Sequence, residues 1–206
     1  MKYTVLLDPG HGKETPGKRS PYYADGETRF FEWMYNRKLV DKMVPLFEAY
    51  GIHAVNLVPE DTDPSLSERA NRANKYKAAH KDESCLFISV HGNAAGSGNW
   101  MNAKGWSCWT TKGKTKSDTL AEALYDSFEH NFTDRTIRKD RSDGDRDYEA
   151  NFTVIVKANM PAVLTENFFY DNEEESMWMM TDEAQERIAM ATVEGVLRYF
   201  NLYEKK

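Results

Sequence analysis

The sequence predicts an α/β fold: a mostly parallel twisted sheet with helices on both faces and a functional site at the carboxyl ends of the strands. Three observations carry this expectation. Short apolar runs that do not alternate, Tyr3–Leu7 and Cys85–Val90 above all, read as strands buried on both faces. Between such runs lie segments whose apolar residues recur three and four apart, the period of an amphipathic helix. The length, 206 residues, fits one domain spanning 1–206 and is enough to bury a sizeable core.

Taken in order, Tyr3–Leu7 is the first strand, stopped by Asp8-Pro9-Gly10. A helix is expected from about Glu32 to Tyr50, with Trp33, Asn36, Leu39, Val40, Met43 and Phe47 at helical spacing. Pro45 inside it predicts a kink or an early stop, and Gly51 is an end signal. His53–Val58, closed by Pro59, is a second strand. Ser65 and Glu68 have capping-box spacing and open a polar helix to about Ala79. Cys85–Val90 is the strongest strand and leads straight into His91-Gly92-Asn93-Ala94. Gly105–Thr110 is a fourth strand. Ser117 or Asp118 is the expected cap of a helix carrying Leu120, Leu124 and Phe128 on one face. Thr133–Ala150, dense in Arg and Asp and without periodicity, reads as an exposed loop. Thr153–Lys157 and Ala162–Thr165 are the remaining strands. A helix from Asp182 to about Tyr199 turns Ile188, Ala191, Val196 and Tyr199 inward.

Composition narrows the function. Acidic residues outnumber basic ones 33 to 27, a formal charge of −6, which argues against a general nucleic-acid binder. With 40% apolar and 29% charged residues, the chain has a folded rather than a disordered composition. No stretch approaches the roughly 20 apolar residues of a membrane span. The N-terminal apolar stretch is too short for a signal peptide. The chain is therefore expected to be made in the cytoplasm and to need an export or lysis system to act elsewhere. Cys85 and Cys108 cannot make a disulfide framework. A single bridge stays open, but Cys85 reads better as a small buried hydrophobe.

Three polar residues fall where strands end: His11, His91 and Glu166. Alone, each has an ordinary reading. His11 could bond within a turn, His91 could be a satisfied histidine at the sheet edge, and Glu166 could cap a backbone or pair with an arginine. Their shared placement is what points to chemistry, because the carboxyl edge of an α/β sheet gathers sequence-distant groups. His53, His80 and His130 follow no strand in a glycine context and read as strand-start or helix-surface residues. No glycine-rich phosphate loop follows a strand, which argues against a nucleotide-binding protein.

Four blocks in order resemble the zinc-dependent N-acetylmuramoyl-L-alanine amidases of bacteria and phages. They are Leu7-Asp8-Pro9-Gly10-His11-Gly12-Lys13, Glu32-Trp33-Met34-Tyr35-Asn36, Ser89-Val90-His91-Gly92-Asn93-Ala94, and Pro161 to Phe169 followed by Asp171-Asn172. The resemblance implies that His11, Glu32 and His91 bind one Zn2+ and that Glu166 is the catalytic acid/base. It implies peptidoglycan as partner, cut between N-acetylmuramic acid and the L-alanine of the stem peptide by a monomer with no nucleic-acid partner. Two imidazoles and a carboxylate suit zinc and leave one position open. Glu27 competes with Glu32 for the third ligand position; Glu32 is favoured by its Asn36 spacing and its place at a helix start. Gly92 stands where many members carry alanine.

The loops Gly98–Trp106 and Arg135–Asp147 look like those of a phage or prophage subgroup, and no separate wall-binding domain is expected. The longer stretch Gly96–Gly105 is a candidate functional loop. Trp100 and Trp106 could stack on sugar faces, although tryptophans near a strand are more often core. Arg138, Arg141 and Arg146 could pair with stem-peptide carboxylates, but a solvated charged loop is the favoured reading. Two rival functions stand beside the amidase: a zinc peptidase cutting within the stem peptide, and a catalytically inactive wall-binding module.

Overall fold

The computed structural model describes residues 2–96 and 98–203. Ser97, in the Gly96–Gly105 stretch, lies outside the described residues. The strands are β1 (Lys2–Pro9), β2 (His53–Asn56), β3 (Glu83–Asn93), β4 (Ser107–Thr110), β5 (Tyr148–Glu149) and β6 (Ala162–Phe169). The helices are α1 (Glu32–Ala49), α2 (Leu66–Ala79), α3 (Lys116–Asn131), α4 (Thr153–Val156), α5 (Glu173–Met179) and α6 (Asp182–Tyr199). The strands form one six-stranded sheet in the order β2-β1-β3-β6-β4-β5. Every pairing is parallel except β4 against β6.

The non-alternating runs explain the layering. Val5 and Leu7 of β1, Leu86, Ile88 and Val90 of β3, and Val163 of β6 enter one apolar layer with α1, α3 and α6. Leu6, Cys85, Phe87, Ala162 and Leu164 point the other way, into a smaller layer with α2 and α4. A period-2 strand covered on both faces must be apolar at consecutive positions. Both cysteines are free and buried.

Several elements differ from the sequence expectation. Helix α1 runs unbroken through Pro45 to Ala49. Pro45 and the residue one turn before it, Asp41, lie on the exposed face, where the carbonyl that Pro45 cannot bond is not forced into the apolar core. Gly51 then ends the helix at φ 74°. Its N–H donates to the Glu48 carbonyl while that of Ile52 donates to Phe47, the paired bonds of a Schellman motif.

Thr153–Val156 is a single helical turn and not a strand. Three apolar residues in a row cannot set a period, and here consecutive Val154 and Ile155 both sink into the second layer. The cap of α3 is Thr115, whose side chain closes a capping box with Asp118, rather than Ser117 or Asp118. The 133–150 stretch contains β5, and α5 follows β6 where no helix is expected. The Glu175 carboxylate of α5 is buried and accepts from the N–H groups of Gly105 and Phe169 at 3.0 and 2.9 Å, tying the end of β6 to the start of β4.

Candidate metal centre

At the carboxyl edge of the sheet, the turn after β1, the first turn of α1 and the end of β3 meet. One donor atom each from His11, Glu32 and His91 lies within 4.8 Å of the others. Glu32 Oε1 stands 3.1 Å from His91 Nδ1 and 3.4 Å from His11 Nε2. The two imidazoles meet edge to face with centroids 4.9 Å apart. Glu27 is exposed and its N–H donates to Asp25 in a turn, away from this cluster.

The backbone around the histidines is held by buried side chains. His11 sits at φ 63°, a left-handed conformation that a β-carbon disfavours. Its carbonyl accepts from Arg37 Nη1 at 2.9 Å and Arg69 Nη2 at 3.0 Å. Asn36, one turn after Glu32, donates to the Gly10 carbonyl at 3.0 Å. Gly10 must be glycine: a β-carbon there would sit 2.0 Å from His91 Cε1. The His91 carbonyl accepts from Asn167 Nδ2, and Asn167 in turn accepts from the Trp106 indole. Behind the ring, His91 Nε2 lies 3.2 Å from Ser89 Oγ, which donates to Asp8 Oδ2 at 2.7 Å. Asp8 Oδ1 is paired with Arg69 at 2.6 Å, both side chains being 1% exposed.

Burial alone would raise the Glu32 carboxyl, but the bonds and charge of His11 and His91 hold it far below the usual carboxylate range. Burial pushes the His91 imidazole down, and Glu32 pulls it partly back. Glu32 Oε2 is buried with no hydrogen-bond partner; its nearest cation is Lys18 Nζ at 3.9 Å. A nitrogen, nitrogen, oxygen donor set beside an orphaned carboxylate oxygen fits a zinc-type ion.

Glu166 lies on β6 directly opposite His91 in the parallel register. Its Oε2 is buried and unpartnered. Burial pushes this carboxyl well above its ordinary range, the Glu32 charge adds to the shift, and the Lys18 ammonium opposes it. The structure thus brings together all four residues singled out from the sequence. Sequence reasoning missed Arg37 and Arg69. Arg37 falls on the buried face of α1, and a basic residue within that apolar stripe is the signal that could have found it.

The recognition candidates separate. Trp106 is fully buried and stacks on Phe128, so it is core. Trp100 is half-buried, packed 5.4 Å from the Tyr23 ring. Arg146 is not free in solvent: it binds Glu122, Asp126 and Glu129 of α3. Arg138 lies over the Phe169 ring, and Arg141 is exposed.

The molecule is thus an α/β protein with a three-residue metal-type cluster at the carboxyl edge of its sheet, beside the buried Glu166 carboxyl, which burial pushes above its ordinary range. It belongs to the N-acetylmuramoyl-L-alanine amidase family, whose model matches residues 5–198. The chain is 31% identical over 209 residues to the endolysin of Bacillus phage SPP1, covering 100% of this chain and 69% of that protein. It is 26% identical over 200 residues to the N-acetylmuramoyl-L-alanine amidase CwlM of Bacillus licheniformis, covering 96% of this chain and 69% of that one. Its fold superposes on the crystal structure of an N-acetylmuramoyl-L-alanine amidase from Clostridium difficile 630 with TM-score 0.79 and 28% identity, over 98% and 99% of the two chains.

Proposed function

We propose that this protein is a zinc-dependent, lysin-type amidase that hydrolyses the bond between N-acetylmuramic acid and L-alanine in peptidoglycan. In this reading His11, Glu32 and His91 hold one zinc ion, Glu166 is the acid/base, and residues 1–206 act as one catalytic domain. The observation that carries it is the placement of Glu166 beside His91 on adjacent parallel strands, with Glu32 joining both histidines. Family membership supports the bond class.

Bound there, zinc supplies Lewis-acid polarisation of the amide carbonyl and lowers the pKa of water at the site. The chain's own residues do the rest. Arg37, Arg69, Asn36 and Asn167 fix the backbone carbonyls of Gly10, His11 and His91, so the two imidazoles that would hold the ion are kept in one arrangement beside Glu32. Glu166 Oε2 takes the proton of the attacking water and delivers it to the leaving amine nitrogen, which is too poor a leaving group as an anion. A carboxyl held above its ordinary pKa is suited to both transfers.

The test combines zinc content with product analysis on defined peptidoglycan. The expected result is about one zinc per chain. New L-alanine amino termini appear while the glycan stays intact. Termini from inside the stem peptide would instead identify a peptidase, and intact substrate with zinc-loaded protein would identify a binding module.

A further inference from the structure

One cation stands at the mouth of the metal centre with no hydrogen bond of its own. Lys18 Nζ lies 3.9 Å from Glu32 Oε2, the carboxylate oxygen that is buried without a hydrogen-bond partner. Among the described residues, Lys18 is the only Lys or Arg in ion-pair range of the Glu32 carboxylate. The Glu32 side chain is 1% exposed and that of Lys18 is 42% exposed, so the ammonium stands at the rim, between the cluster and solvent. A separation of 3.9 Å is too long for a hydrogen bond, and among the described residues no acceptor takes the Lys18 ammonium.

The backbone holds this side chain beside the site. The Lys18 carbonyl accepts from the Glu32 N–H at 3.1 Å. Arg19 pairs with Phe31 in an antiparallel bridge, and the Ser20 N–H donates to the Phe30 carbonyl at 3.0 Å. The Phe30 N–H donates back to Ser20 Oγ at 2.9 Å, and both residues are buried. Lys18 is therefore laced to the start of α1, next to a metal-type ligand. The arginines near the centre are committed elsewhere. Arg37 directs its donors to backbone carbonyls, and Arg69 directs its donors to carbonyls, Asp8 and Asp63. Arg146, one candidate for a stem-peptide carboxylate, is held by three carboxylates of α3.

Resting on the amidase reading above, we propose that Lys18 binds a carboxylate of the stem peptide, carried on the residue after the L-alanine, and so sets which stem the site prefers. The chain has a formal charge of −6, and Glu32 and Glu166 place carboxyls at the centre itself. Such a surface repels an anionic substrate unless a cation meets it. Consecutive Cα atoms are about 3.8 Å apart, so a carboxylate one residue beyond the L-alanine lies within a side chain's reach of the bond being cut. A lysine fastened beside a metal-type ligand spans that gap. Its ammonium is a compact point charge with three rotatable donors, which takes a single carboxylate without requiring a bidentate approach.

The test measures binding apart from turnover, in zinc-loaded Glu166→Gln protein with Lys18 intact or changed. The probes are two N-acetylmuramyl tripeptides that differ only in the second stem residue, D-glutamate with a free α-carboxylate or its α-amide. Calorimetry is expected to show about 5-fold tighter binding of the free carboxylate, the size of a partly exposed ion pair. Added NaCl should narrow the preference, because salt screens exposed charge. Lys18→Met should erase it at unchanged zinc content, and Lys18→Arg, which keeps the charge, should retain most of it. Equal binding of the two probes with Lys18 intact, no binding of either, or a preference that survives in Lys18→Met overturns the proposal. So does a Lys18→Met protein that loses zinc and binds both probes more weakly to the same degree, which identifies Lys18 as a support for Glu32 alone. Turnover by the unsubstituted chain keeps the two readings apart. A carboxylate preference in a protein that leaves the muramyl–alanine amide uncut sinks the amidase reading and leaves the Lys18 site standing; cleavage without the preference does the reverse.

Discussion

Glu32 and Asp147 are both buried carboxylates, one at each end of the same sheet, and their surroundings drive them in opposite directions. Burial opposes the charge on each. Two imidazoles face Glu32, and its carboxyl stays ionised far into acid. Asp147 has one hydroxyl, that of Thr110, on its carboxylate, and burial with the nearby Asp145 and Asp118 charges pushes it up to about 7. Depth in the fold therefore does not set the state of a carboxyl; the groups gathered around it do. Arginine serves the two ends differently as well. Arg37 and Arg69 direct their donors to backbone carbonyls and to buried Asp8, holding a left-handed turn in place. Arg146 directs its donors largely to the carboxylates of one helix face, which fastens a segment but leaves Asp145 and Asp147 unpaired.

The largest expected effect comes from taking the imidazoles away from Glu32. His91→Ala or His11→Ala should lose most bound zinc, and hydrolysis should fall to the background rate; metal analysis and product assay on the same preparation check this. Zinc retained at full occupancy in both variants would remove the metal role from the Glu32 end of the sheet. Next comes Glu166→Gln, which keeps shape but cannot move a proton. Turnover should drop about 100- to 10,000-fold while zinc content and melting temperature stay near those of the parent. A stable, zinc-loaded variant with near-normal turnover would send the search for the base elsewhere.

Smaller in rate, but large in stability, is Arg69→Met. It leaves Asp8 buried and unpaired, so denaturant unfolding should show a loss of about 3–5 kcal/mol. Adding Asp8→Asn should recover part of it; no recovery would mean that the carbonyl bonds of Arg69, not its ion pair, hold the turn. The smallest effect is expected for Glu27→Ala. Glu27 is exposed, so stability should stay within about 0.5 kcal/mol and zinc content should not change. Loss of zinc in this variant, with retention in Glu32→Ala, would transfer the ligand role to Glu27.

Much of this was legible in the residues themselves. The non-alternating, largely apolar runs Tyr3–Leu7 and Cys85–Val90 read as strands covered on both faces, and helical spacing between them made the layers. Residues that come directly after parallel strands gather at one carboxyl edge, so His11, His91 and Glu166 could be placed together. The resemblance of the blocks around them supplied Glu32. Local pattern failed where a segment was too short to carry a period. The turn Thr153–Val156 became a helix because Val154 and Ile155 found an apolar layer. Tyr148–Glu149 became a strand because β4 offered it an edge.

Only the tertiary structure could decide which of the charged residues matter. Arg69 sits on a polar helix with no apolar stripe to mark it, yet it closes on Asp8, 61 positions away, and on the His11 carbonyl. Arg146 and Asp147 are neighbours in a charge-rich stretch that reads as solvent-facing throughout. The fold turns one to a bed of carboxylates and buries the other. Period and propensity act over a few residues, so they determine elements. Charge acts through space, and whether a carboxyl meets an imidazole or another carboxyl is set by which distant segments the sheet brings to the same edge.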